Sequence, residues 1–251
     1  MFPLKDENPT EITPFVTVAI IVTNVAVWLF VQSAGTGEGF IESLCAYGAI
    51  PGEITGALSA GQRVPLGSLA ECRIGGLAGG TLISSMFLHG SWMHLIGNMW
   101  FLWVFGNNIE DSMGHLRFVV FYLLTGLLAS GAHILSSLSS GVPTVGASGA
   151  ISGIMGAYML LYPRVRVHTL VIFFYFFRVI TLPAVTMLGL WFAFQLLQGA
   201  VVGAGVAFWA HIGGFAAGVA LIKVFERRKL VAAKLAHRKL TREELSRWDR
   251  W

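Results

Sequence analysis

A helix needs roughly 20 mostly apolar residues to cross the hydrocarbon of a bilayer. This chain offers six such stretches, at approximately 14–32, 81–105, 116–138, 146–162, 180–200 and 205–225. In hydrocarbon every backbone amide must be bonded within the protein, so runs of this kind fold as helices. Composition agrees with that reading. Of 251 residues, 55% are hydrophobic and 12% charged, about half the ~25% charge of soluble domains. So little charge cannot coat a soluble globule. The expectation is an all-α integral membrane protein, a six-helix bundle over 14–225 whose fourth helix is short.

The 17 Lys and Arg residues orient the bundle. Ten of them lie between Lys223 and Arg250; Arg164, Arg166 and Arg178 fall between spans four and five, Arg117 between two and three, and Lys5 before the first. The connection at 33–80 holds only Arg63 and Arg73. Both termini (1–13 and 226–251) are therefore expected in the cytoplasm and the 33–80 loop outside. The net charge of +4 describes a basic flank near anionic lipid, where Glu243 and Glu244 suggest an amphipathic helix. It does not describe a nucleic-acid partner.

Asp6, Glu7 and Glu11 near the start do not read as a cleavable leader, and the expected location is the cell membrane. Cys45 and Cys72 share the external loop; a disulfide and two free thiols are both open readings. Gly75, Gly76, Gly79 and Gly80 in that loop read as irregular backbone.

Strongly polar residues inside spans are costly and usually functional. Span two holds His89, His94 and Asn98, the last two one turn apart on one face. Span four opens with Gly146-Ala147-Ser148-Gly149, and span six contains Ala210-His211-Ile212-Gly213-Gly214. Each has an ordinary reading as helix packing or interhelical bonding. Yet the topology carries His94, Asn98, Ser148 and His211 to a similar depth near the outer face. Small residues at Gly149, Gly153, Gly214 and Gly218 let two helix backbones approach closely. Ser148 could then reach His211, the base within hydrogen-bond range that a serine nucleophile needs.

The acids narrow the chemistry further. Asp6, Asp111 and Asp249 are the only aspartates, and none falls in an expected span, so an aspartyl dyad and a conventional triad lack their carboxylates. No His-Glu-x-x-His run is present for zinc. Serine chemistry without metal or organic cofactor remains.

These residues resemble the rhomboid family of intramembrane serine proteases. The resemblance rests on four ordered elements: His89-x4-His94-x3-Asn98, Gly106-x3-Glu110-x3-Gly114, Gly146-x-Ser148-Gly149 and Ala210-His211-x-Gly213-Gly214. It implies a rhomboid-like bundle with the short fourth helix at its centre, Ser148 as nucleophile and His211 as base. It assigns the oxyanion to His94, Asn98 and backbone near Gly146, and gives His89 and Glu110 structural or water-organising roles. Substrates would be single-span membrane proteins entering between spans two and five. There Trp191, Phe192 and Phe194 would face lipid, as would the 171–177 run.

Two features depart from some members. Ser152 stands where those members have a Tyr stacked on the histidine, and the external loop lacks a Trp-Arg pair. Rival classes are an inactive scaffold binding membrane clients, and a transporter using His94, His133 and His211 as a proton path.

Overall fold

The computed structural model describes residues 1–67, 70–76, 78–173, 176–201 and 207–236. Strand β1 (Phe2–Asp6) leads into α1 (Phe15–Ala26), which continues as a π-helical turn over Val27–Val31. A peripheral unit follows, built from α2 (Gly37–Tyr47), α3 (Pro51–Ile54), β2 (Arg63–Leu66), β3 (Ala70–Arg73) and α4 (Ala78–Ser84). The long helices are α5 (Trp92–Met113) and α6 (His115–Ser136), and α7 (Ser148–Leu161) is shorter. A hairpin of β4 (Arg166–Phe173) and β5 (Phe176–Pro183) precedes α8 (Ala184–Val201), α9 (Phe208–Phe225) and α10 (Arg228–Leu235).

Helices α1, α5, α6, α7, α8 and α9 fall on the six apolar stretches. By length and composition α6 and α9 are long and apolar enough to cross a membrane, while the apolar helices Phe15–Val31, α7 and Ala184–Gly199 are shorter. The expectation of an all-α fold needs correction. β1, β4 and β5 form an antiparallel sheet in the order β1-β4-β5, and β2 pairs with β3. The hairpin is rich in β-branched and aromatic residues, which suit a pleated surface better than a helix.

Helix α5 is also displaced from its expected limits, 81–105. The Ser91 hydroxyl accepts from the His94 backbone N–H and starts the helix there. Gly114, at φ 82°, ends it. Glu110 and Asp111 therefore lie within α5, in its last turn. Both acids are buried because they cap another chain segment. Glu110 accepts from Val16 N (2.9 Å), Thr17 N (2.8 Å) and Thr17 Oγ1 (2.6 Å), with His115 Nδ1 at 2.5 Å. A carboxylate at the positive end of α1 is favourable. Asp111 accepts from the Glu11 and Ile12 backbones and pairs with Lys234 Nζ at 2.7 Å. Residues 228–235, expected in the basic tail, thus form a helix docked on α5; Glu243 and Glu244 lie outside the described residues.

At the other end, Cys45 and Cys72 are joined in a disulfide. Cys72 is fully buried among Ile50, Val64 and Ile74. Gly79 and Gly80 lie in α4 rather than in irregular backbone, and Gly75 and Gly76 donate to Glu53 Oε1. The peripheral unit is tied to the α6–α7 connection by Gly52 N to Ser140 O (2.8 Å) and by the Ala49–Thr144 bridge. It therefore sits at the end of the bundle where α7 begins.

The main core gathers Leu102, Phe105, Phe118, Phe121, Ile154 and Tyr158 from α5, α6 and α7. Close approach governs how α9 joins it. A β-carbon at Gly214 would run into the Gly149 carbonyl, and one at Gly218 into the Gly153 carbonyl. Only glycine allows this spacing of α7 and α9.

Candidate active site

Ser148 is the first residue of α7, and His211 is the fourth of α9. The glycine contact between the two helices brings Ser148 Oγ to 2.8 Å from His211 Nε2. Both side chains line a cavity of about 800 Å³ together with His94, Asn98, His133, Trp191 and Gln195. Rim residues Ser136, Ser137, Ser140 and Thr144 make one side polar. The cavity opens beside the connection on which the peripheral unit rests.

His94 packs against the turn before α7. Gly146 has φ 131°, and a β-carbon there would come within 2.8 Å of His94 Cε1 and Nε2. Gly90 N lies 3.4 Å from His94 Nδ1. A backbone N–H can only donate, so the neutral ring carries its proton on Nε2, the nitrogen beside Gly146. Asn98 Nδ2 lies 3.0 Å from His89 Nε2. That contact uses one of the two amide hydrogens and leaves the other available. The free N–H groups at the start of α7 add further donors. His94, Asn98 and the first N–H groups of α7 thus bring donors to the cavity that Ser148 lines, whereas the Gly146 N–H, expected among them, is spent on Ser85 O at 2.9 Å.

His89 lies outside α5, in the turn before it, and is fully buried. Gln32 holds it through two backbone bonds, Gln32 Nε2 to His89 O and His89 N to Gln32 Oε1, each 2.8 Å. His89 in turn fixes Asn98. Glu110 stands at the far end of α5 from this cluster, where it caps α1. Gly149, Gly153, Gly214 and Gly218 all lie in the α7–α9 contact.

Sequence reasoning missed Gln195, whose Oε1 is 2.7 Å from His211 Nδ1. The available signal was a pair of amides, Gln195 and Gln198, within the apolar run of span five. It also misplaced two aromatics. Trp191 lies 5.9 Å from the His211 ring, and Phe192 stacks on Phe215 at 4.4 Å, so both face inward. Phe194 is exposed. Ser152 donates to the Ser148 carbonyl at 2.7 Å. His133, part of the rival proton path, lines the same cavity.

Comparison with known proteins places this geometry in context. A family model described as a rhomboid domain matches residues 79–228. RHOMBOID-like protein 6, mitochondrial, of Arabidopsis thaliana is 30% identical over 168 residues, 62% of this chain and 54% of that protein. Rhomboid protein 1, mitochondrial, of Saccharomyces cerevisiae is 32% identical over 150 residues, 55% of this chain and 40% of that protein. RHOMBOID-like protein 5 of Arabidopsis thaliana is 37% identical over 78 residues, 31% of this chain and 25% of that protein. The chain spans between about a quarter and about half the length of these curated relatives.

Proposed function

The chain belongs to the rhomboid family, and from that premise we propose that it is an intramembrane serine endopeptidase cleaving single-span membrane proteins within or near their transmembrane segments. The observation that carries this reading is the 2.8 Å contact of Ser148 Oγ with His211 Nε2 inside a polar-lined cavity. Such a pair is a nucleophile with its base in reach.

In the reaction, Ser148 Oγ attacks the scissile carbonyl while its proton passes to His211 Nε2. The carbonyl oxygen becomes an oxyanion, held by His94 Nε2–H, the free Asn98 amide hydrogen and the backbone N–H groups at the start of α7. Collapse expels the amine, which takes the proton from His211. Water then hydrolyses the acyl-enzyme with His211 again as base. Helical peptide bonds are shielded by their own hydrogen bonds, so the substrate must unwind locally to present its carbonyl.

In this reading six helices cross the membrane, both termini face the cytoplasm, and the cavity opens outward at the cell membrane. Lysine and arginine placement supports that orientation. So does the Cys45–Cys72 disulfide at the cavity end, since disulfides persist in oxidising compartments. Substrates enter sideways from lipid between α5 and α8.

The test is cleavage of a labelled transmembrane substrate by the purified full chain, with serine-reactive phosphonate labelling alongside. Wild type should cleave and label, and Ser148→Ala should do neither. Equal cleavage by Ser148→Ala, or a wild type silent in both assays across a broad substrate panel, would return the choice to scaffold or transporter.

A further inference from the structure

We propose that Gln195 is the positioning residue of this site, an amide standing where a triad would place a carboxylate. The inference rests on the proposed Ser148–His211 chemistry and adds what that pair lacks, a reason for the imidazole to hold one tautomer and one orientation. Gln195 is buried on α8, between Trp191 and Leu197 in an apolar run. A buried amide in such a helix is costly unless bonded. Its oxygen finds His211 Nδ1 at 2.7 Å.

An amide oxygen only accepts, so Nδ1 carries the proton and Nε2 presents its lone pair to the Ser148 hydroxyl. The opposite tautomer would put N–H against Ser148 Oγ and could not receive its proton. Trp191 packs on the same ring at 5.9 Å, which leaves the imidazole held at both nitrogens and against one face. Glu110 and Asp111 are committed to the N-terminal end of α1, and Ser152 bonds the Ser148 carbonyl. None of them does this work. An amide serving the same purpose occurs in Cys-His-Asn proteases on unrelated folds. During catalysis the Nδ1 proton stays in place; the proton from Ser148 resides on Nε2 until it leaves with the amine.

The test compares wild type, Gln195→Leu and Gln195→Glu as full chains in one detergent. It measures kcat and KM on a transmembrane substrate, thermal unfolding, and the ¹⁵N shifts of His211. Gln195→Leu should lose roughly 100-fold in kcat with KM nearly unchanged, and His211 should shift from the Nδ1–H form toward a tautomer mixture. Gln195→Glu, which keeps an acceptor, should recover most of the rate. If Gln195→Leu does not fold, Gln195→Met replaces it. Wild-type kcat in the apolar variant, an unchanged tautomer, or equal loss in Gln195→Glu would overturn the assignment. A tautomer change in a protein whose wild type neither cleaves nor labels would keep Gln195 as the positioning residue while removing the protease reading.

Discussion

Gly218 of α9 faces Gly153 of α7 with no room for a β-carbon, which would meet the Gly153 carbonyl and Cα. One turn nearer the site, Gly214 meets the Gly149 carbonyl in the same way. Gly149 adjoins Ser148, and Gly214 lies one turn beyond His211. The backbone separation of the two helices therefore sets the 2.8 Å reach between hydroxyl and imidazole.

Gly218→Ala should force α7 and α9 apart. Overpacking a tight contact costs about 1–3 kcal/mol or more, and because a β-carbon would sit 1.9 Å from the Gly153 carbonyl oxygen, the backbones must part by about 1 Å, which lengthens the Ser148–His211 bond. We expect a lower Tm and at least a tenfold slower phosphonate labelling of Ser148. A variant matching wild type in both would show that the contact does not govern the pair.

The apolar stretches were readable because hydrocarbon thickness imposes a length on any helix that crosses it, and the glycine and histidine spacings were readable because helix geometry is periodic. Helix limits were harder. The apolar residues Leu82–Phe87 look continuous with α5, but Ser91 caps a new helix and leaves them in α4 and a 3₁₀ turn. Glu110 and Asp111 look like an exit from the membrane, yet α1 neutralises them through backbone donors roughly 100 positions away, which no local pattern reveals. The 166–183 hairpin was hidden for a related reason: its first partner, β1, lies at the other end of the sequence. Gln195 escaped because its value depends on a ring nitrogen contributed by α9.

Gly146 should prove as sensitive as the side chains it supports. Its φ of 131° is strained for any L-residue, and a β-carbon would strike the His94 ring. Gly146→Ala is expected to push that ring aside and to match His94→Ala in effect. Loss of one oxyanion donor typically costs about 2.7–4 kcal/mol, or 100- to 1000-fold in kcat, and Asn98→Ala should fall in the same range. Steady-state kinetics decide it; a fall confined to KM would place these residues in substrate binding instead.

Glu110→Gln tests the cap on α1. The carboxylate accepts from two backbone N–H groups and a hydroxyl. An amide offers one oxygen and turns an N–H₂ toward one of those donors. Leaving a buried donor unpaired costs about 1–3 kcal/mol. Thermal unfolding should fall accordingly, while the rate of Ser148 labelling at temperatures below the transition stays near wild type.

The disulfide closes a loop with a sequence separation of 27 residues. Chain-entropy reasoning assigns such a bridge about 3–4 kcal/mol at most. The double variant Cys45→Ser and Cys72→Ser should unfold at lower temperature and expose the β2–β3 unit to limited proteolysis. Ser148 and His211 belong to α7 and α9, so their labelling chemistry should survive. Complete loss of labelling in a folded double variant would instead make the peripheral unit part of the site.

Asp6 gives the N-terminal strand a pH dependence. Its Oδ2 accepts from Tyr158 (2.5 Å) and from Asn108 Nδ2 (2.8 Å), and Lys234 lies nearby through Asn108. Burial nevertheless outweighs these partners and raises its pKa from 3.8 to about 6. An acid whose folded pKa exceeds its unfolded value favours the folded state while protonated. That contribution is full below about pH 4 and is lost as pH rises through about 6, on the order of 2–3 kcal/mol in total. Asp6→Asn does not titrate there. The Tm of wild type relative to Asp6→Asn should therefore fall as pH rises from about 4 to just above 6, most steeply midway between 3.8 and about 6. A difference that stays flat over that range, or grows in favour of wild type, would show that Asp6 is already ionised and stabilising throughout.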